Sequence, residues 1–221
     1  MAKSSTTPQG IRLEEEQPPA PVVVPEPYRQ GQLDALCGIY AIINGVRNAC
    51  ASASIIWQSI PSGLFADLLK ALGARGQAQE VICGGVGLRG HEKCLKVAQE
   101  HLCKCNVEMT WSRPWKGKKR LNLTLAFKAI QDHLDGPGST ALLRFATDYG
   151  EHWTVIQEVS ADQVKLSDSA GIKTRLVSGF KFGQAIVSRR SMRCLINGSS
   201  LVLVRVLDKT RTPDHINPGH G

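Results

Sequence analysis

The sequence lacks several features that would assign a protein to a class at once. It contains no run of 18 apolar residues, so no membrane-spanning helix is predicted. Residues 1–17 are polar, and the apolar run 22–24 is too short for the core of a signal peptide. These absences predict a chain outside the membrane, with the cytoplasm as its expected location.

The cysteines lack the spacing of a disulfide framework or of a zinc site. There are seven of them, an odd number, and none forms a C-x-x-C pair. Without a secretory signal, this predicts reduced thiols. Cysteines and histidines cluster between Cys83 and Cys105, but Cys103-x-Cys105 suits one tetrahedral ion poorly. No metal and no other cofactor is therefore predicted.

Positive charge dominates, with 27 Lys and Arg against 19 Asp and Glu and a formal net charge of +8. Residues 113–120 carry five basic side chains around Trp115, and residues 188–193 carry three more. A basic stripe with an aromatic residue is one way to bind nucleic acid or an acidic protein face. A solvated surface explains the same residues, so nucleic-acid binding is an alternative and not the main prediction.

Composition divides the chain into a body and two tails. Residues 1–27 are rich in Pro, Ser, Thr and Glu, which predicts a disordered tail. Residues 208–221 are predicted to be flexible as well. The body, residues 28–207, has the size of one ordinary domain.

Hydrophobic spacing predicts helices first and strands afterwards. Apolar residues follow a helical period over 37–46, 63–72, 88–103 and 123–134. They follow a period of two over 141–146, 152–159, 163–168 and 201–207. This order predicts an α+β fold, with an N-terminal helical part packed on a C-terminal antiparallel sheet.

Cys37 stands at the start of the first predicted helix, at the end of the run QLDALC. A helix N-terminus favours the thiolate form of a cysteine, which is the nucleophilic form. Asp34 is predicted to cap this helix, and Gly38 to leave room for a substrate backbone beside the sulfur. Gln32, five residues upstream of Cys37, is a candidate donor to an oxyanion together with the Cys37 N–H.

His152 and Asp168 are the candidate base and its orienting acid. His152 is predicted to open one strand, and Asp168 to end the next. In a hairpin these positions lie side by side, so the carboxylate would fix the tautomer and orientation of the imidazole. Trp153 either shields this pair from water or belongs to the core. Ser169 either donates to the Asp168 carboxylate or serves only the turn.

The chain order Cys37, His152, Asp168, with the last two sixteen positions apart, resembles the papain-like cysteine peptidase superfamily. Gln-x-x-x-x-Cys and Glu-His-Trp are similar to the Josephin-type deubiquitinases. Cys-Gly at the helix start, and Asp as the third residue of the triad, are similar to the bacterial peptidases that trim double-glycine leader peptides. The resemblance implies a papain-like fold and a peptidase or isopeptidase that cleaves a polypeptide amide through a thioester acyl-enzyme. It also implies substrates that end in Gly-Gly or are ubiquitin-like.

Two other functions remain open from the sequence. The same triad can pass the acyl group to an amine or alcohol, which would make the chain an acyltransferase. Alternatively, the chain is a non-catalytic basic module that binds nucleic acid or an acidic protein. The sequence predicts no oligomeric state.

Overall fold

The computed structural model describes residues 25–31, 34–58, 60–73, 82–147, 150–183 and 194–210. Most of the two predicted tails, residues 1–24 and 211–221, and the basic run 188–193 lie outside these ranges. Within them the chain combines helices with a largely antiparallel sheet, in agreement with an α+β protein. No helix in these ranges has the length and apolar character that a membrane crossing requires.

Four α-helices lie wholly within the described ranges: α1 Cys37–Ser52, α2 Pro61–Gly73, α3 Leu88–Lys104 and α4 Leu123–Leu134. The helix α1 extends past the predicted end at residue 46, because Ala49 and Cys50 continue its buried face. The helix α4 has the predicted bounds, and the Asn122 side chain caps it by accepting from the Leu125 N–H at 3.2 Å.

Eight strands form one sheet in the described part of the chain: β1 Val107–Ser112, β2 Ser139–Thr147, β3 Gly150–Val159, β4 Gln163–Ser167, β5 Thr174–Leu176, β6 Phe180–Phe182, β7 Cys194–Ile196 and β8 Leu201–Asp208. The main order is β1-β8-β2-β3-β4-β5, with antiparallel neighbours throughout. The strand β6 pairs in parallel with β7, which pairs with β2. Since β1 precedes α4, the predicted order of all helices before the sheet is wrong.

Helices cover both faces of this sheet. The helices α1, α2 and α3 share one apolar core with the sheet, and α4 shares another with β2 and β3 on the opposite face. Successive residues of a strand point to opposite faces, so Trp153 and Val155 belong to the core beneath α1, whereas Ile156 belongs to the core beneath α4. This packing brings the start of α1 to the end of the sheet where β3 begins and β4 ends.

Candidate active site

Cys37 is the first residue of α1. The Leu36 carbonyl accepts from the N–H groups of Ile39 and Tyr40 at 2.9 and 3.1 Å, so Leu36 is the residue that caps the helix. The N–H groups of the first helical turn have no acceptor within the helix, and the helix dipole places partial positive charge there. The Cys37 sulfur therefore lies at an electropositive helix end, although the side chain is largely buried, with 8% of the residue exposed.

The prediction that Asp34 caps α1 is wrong. Its carboxylate accepts from the Gly31 N–H at 2.7 Å and from the Leu36 N–H at 3.1 Å. Both bonds fold the loop that precedes the helix, because a short acidic side chain can accept from backbone two residues ahead as readily as from a helical turn. A third bond, from the Ala35 N–H to the Ile82 carbonyl at 2.7 Å, ties this loop to a second segment of the chain. Asp34 thus positions Cys37 through the loop.

The hairpin of β3 and β4 brings His152 and Asp168 together. Val155 faces Ser167 in the register, so the end of β4 runs back toward the start of β3. The His152 Nε2 atom lies 2.6 Å from Asp168 Oδ2. The other carboxylate oxygen, Oδ1, accepts from the N–H groups of Ala170 and Ile172 at 2.8 and 3.2 Å. Asp168 is consequently fixed on both sides, and its side chain is fully buried.

The charges of this pair stabilise each other. Burial alone lowers the pKa of His152, but hydrogen bonds and charges from Asp168 and Cys37 outweigh it and raise the pKa to about 9. Burial raises the pKa of Asp168, and the hydrogen bond and charge of His152 outweigh that effect, so the pKa lies below its usual range. The structure therefore favours an imidazolium at neutral pH.

Cys37 completes the group, since its side chain lies close enough to His152 to help raise the pKa of the imidazole. An imidazole has two nitrogens, and Asp168 occupies Nε2, so Nδ1 is the nitrogen that remains for the sulfur. The three predicted residues thus lie together in the predicted order, with the imidazole between the thiol and the carboxylate. Such an arrangement can hold a thiolate beside an imidazolium, which is an activated nucleophile with a proton donor next to it.

Trp153 belongs to the core and not to the surroundings of Asp168. Its ring stacks on His91, with centroids 3.5 Å apart and planes at 6°, and its Nε1–H donates to the Val86 carbonyl at 3.1 Å. A Cβ at Gly38 would lie 2.9 Å from Val86 Cβ and 3.3 Å from Trp153 Cδ1. The predicted reason for Gly38 is therefore wrong, because its missing side chain makes room for this packing and not for a substrate.

Ser169 does not donate to Asp168. Its hydroxyl donates to Gln30 Oε1 at 3.0 Å, and the Gln30 N–H donates to the Ser169 carbonyl at 3.3 Å. A second reciprocal pair of hydrogen bonds joins the same segment to α1. The Tyr28 N–H donates to Asn44 Oδ1 at 2.8 Å, and Asn44 Nδ2 donates to the Tyr28 carbonyl at 3.1 Å. Residues 28–31 therefore connect the helix that carries Cys37 to the turn that carries Asp168.

Tyr28, Gln30 and Asn44 are the part of the site that the sequence analysis missed, and Ser169 was named there with a different possible partner. Gln30 and Ser169 are 139 positions apart, so no local pattern relates them. Asn44 and Ser169 are almost completely inaccessible, but this burial becomes visible only in the folded structure. The proposed oxyanion donor Gln32 lies outside the described residues.

The cysteines and histidines between positions 83 and 105 are dispersed. His91 stacks on Trp153, whereas the His101 Nδ1 atom lies 2.8 Å from Asp67 Oδ2. Cys94 is buried in the core, and Cys83 and Cys103 are exposed. Among the described residues, no three side chains of the metal-binding types come together.

Comparison with known proteins gives no family. No protein-family model matches the sequence, and no curated protein matches it significantly.

Proposed function

We propose that this chain is a cysteine hydrolase with a papain-like fold, acting as a peptidase or isopeptidase on a polypeptide carbonyl. The observation that carries the proposal is the contact of 2.6 Å between His152 Nε2 and the buried carboxylate of Asp168, at a site where Cys37 also acts on the imidazole and raises its pKa. The helix that begins at Cys37 and the hairpin that holds His152 and Asp168 support the papain-like arrangement. A cytoplasmic setting belongs to the proposal, because a nucleophilic thiol must stay reduced.

The first half of the reaction forms an acyl-enzyme. The Cys37 thiolate attacks the substrate carbonyl carbon, and the carbonyl oxygen becomes an oxyanion. The Cys37 N–H, at the first position of α1, is one donor to that oxyanion, and Gln32 is the proposed second. When the tetrahedral intermediate collapses, the C–N bond breaks, and the His152 imidazolium gives its proton to the leaving amine.

The second half releases the product. Neutral His152 takes a proton from a water molecule, and the resulting hydroxide attacks the thioester carbon. The C–S bond then breaks, the acid product leaves, and the thiolate–imidazolium pair is restored. Asp168 stabilises the imidazolium at both stages without giving up its own charge, since it is held by two backbone N–H groups.

The experiment is trapping of the acyl-enzyme on a panel of fluorogenic amides that end in Gly-Gly, together with ubiquitin-like conjugates. Wild-type protein should gain the mass of the acyl group on Cys37 and release the amine, and the variant C37A should do neither. An added amine that accumulates as the acylated product, at the expense of the free acid, would identify an acyltransferase with the same triad. Absence of both acylation and turnover across the panel, with C37A indistinguishable from wild type, would contradict the proposal.

A further inference from the structure

The basic segment 113–120 lies at the same end of the sheet as the candidate active site. The register fixes this placement, because Ser112 at the end of β1 faces Leu203 near the start of β8. Leu201, which starts β8, faces Leu143 in β2, and two residues further along β2 Phe145 faces His152. The chain therefore leaves β1 and enters the basic segment at the edge where β3 begins.

Part of this segment anchors it to the protein. The N–H groups of Lys116 and Lys118 donate to the carbonyls of Arg113 and Trp115 at 3.0 and 3.1 Å. The Arg113 side chain is buried, with Nη1 3.5 Å from Glu92 Oε2. The Trp115 carbonyl lies so close to Gly198 that a Cβ there would be 1.9 Å away. The segment is consequently a packed turn and not a loose extension.

The remaining cations face the solvent. Lys118, Lys119 and Arg120, here called the cationic rim, are all exposed. Lys116 and Arg113 share Glu92, whereas no residue of the cationic rim has an ion pair within the described part of the chain. Unpaired cations on a fixed turn create a local positive potential that attracts a negatively charged partner.

The surroundings of Trp115 favour a polypeptide over a nucleic acid. Single-stranded nucleic acids are usually held by basic residues together with exposed aromatic rings on which bases stack. Trp115 is the aromatic residue of this segment, and it packs against the core beneath α4. Part of its ring surface is therefore covered, and the cationic rim offers charge without a fully exposed aromatic ring.

We propose that the cationic rim binds an acidic stretch of the polypeptide substrate about six residues from the bond that is cleaved. This inference rests on the proposed function. Three neighbour steps, from β1 through β8 and β2, separate the end of β1 from β3, which is about 14 Å at about 4.8 Å per step. Ser112 is level with Ala141, four residues along β2 from Phe145, which adds about 13 Å along the strands. The combined separation is about 20 Å, which an extended peptide spans in about six residues.

The test uses two series of electrophilic peptides that alkylate Cys37. One series carries a chloroacetyl group at the amino end, and the other a chloromethyl ketone at the carboxyl end. In each series a block of three Glu residues begins about one, six or ten residues from the electrophile, and a matched peptide carries Gln instead. In one of the two series, the peptide whose block begins about six residues away should label Cys37 roughly ten-fold faster than its Gln control at low salt, since electrostatic attraction raises association rates by such factors.

Matched variants separate the cationic rim from the overall charge. The triple variant K118Q/K119Q/R120Q should abolish the preference for Glu. The variant K104Q/K165Q/K209Q loses the same charge from exposed lysines elsewhere and should keep it. Labelling of Cys37 without a preference for Glu in either series, or equal loss in both variants, would overturn the inference and leave the proposed function standing.

Fluorescence anisotropy of the labelled Glu peptide reports on the cationic rim without any reaction at Cys37. Binding that K118Q/K119Q/R120Q alone weakens supports the rim even if no peptide alkylates Cys37, a result that would speak only against the proposed function. A single-stranded oligonucleotide of equal charge serves as the competitor. If it binds the rim more tightly than the Glu peptide at the same salt concentration, the assignment to a polypeptide is overturned.

Discussion

Asp168 and His152 form the tightest polar contact of the candidate site, with 2.6 Å between Oδ2 and Nε2. The carboxylate is buried and also accepts from two backbone N–H groups, so it cannot turn away from the imidazole. A buried carboxylate in such a position keeps the imidazole protonated and in one orientation. The reactivity of Cys37 should therefore depend on Asp168, which does not touch the substrate.

Replacement of Asp168 by Asn tests this dependence. The variant D168N keeps the size of the side chain but removes the charge that raises the pKa of His152 to about 9. We expect the pKa of His152 to fall well below that value and the alkylation of Cys37 at pH 6 to slow by roughly ten-fold or more. Titration of the His152 ring by NMR gives the first quantity, and timed labelling gives the second. The control D132N changes an exposed carboxylate on α4 and should leave both unchanged.

Replacement of Gly38 by Ala tests the packing beside Cys37. A Cβ at this position would lie 2.9 Å from Val86 Cβ and 3.3 Å from Trp153, so neighbouring groups in a dense core must move. We expect G38A to lower the free energy of unfolding by about 1–3 kcal/mol, the usual cost of overpacking. Urea denaturation measures the change. Gly84 has open space around it, so G84A should cost much less, and an equal loss in both variants would contradict this packing.

His91 should make the protein sensitive to acid. Burial, together with the charges of Arg113 and Arg144, holds the pKa of His91 well below 6.5. The unfolded chain therefore binds a proton at this residue before the folded chain does, so the stability that neutral His91 allows is present above pH 6.5 and is lost as the pH falls below it. The variant H91F keeps a ring on Trp153 but cannot take up a proton.

The measurement for His91 is urea unfolding of wild type and H91F between pH 7.5 and 5. Wild type should lose more free energy of unfolding than H91F as the pH falls, and the difference between the two should change mainly below pH 6.5. A constant difference over the whole range would show that His91 does not couple folding to protons.

The sequence predicts the three residues of the candidate site better than the contacts that hold them in place. Cys37, His152 and Asp168 could be predicted because each stands within two residues of the end of a periodic segment, and the hairpin register follows from two neighbouring strands. The hydrogen bonds of Asp34 were predicted wrongly, since the same carboxylate can accept from the backbone of a loop or from the first turn of a helix. The strands β5, β6 and β7 have three residues each, which is too short for a period to be recognised.

Contacts between distant segments were beyond any pattern in the sequence. The bond from Ser169 to Gln30 joins residues that only the folded chain brings together. The stacking of His91 on Trp153 likewise depends on how α3 packs on the sheet. Composition alone does not distinguish a buried histidine of this kind from a metal ligand or an exposed residue.

The most direct test of the central claim is the rate of iodoacetamide labelling between pH 4 and 9, mapped by peptide on wild type and H152A. The exposed Cys83 and Cys103 serve as internal reference thiols. The account predicts that Cys37 labels selectively at acidic pH, where the reference thiols are protonated and slow, and that H152A abolishes this selectivity. If Cys37 labels no faster than Cys83 at every pH, or if H152A leaves its rate unchanged, no thiolate–imidazolium pair exists and the proposed hydrolase is contradicted.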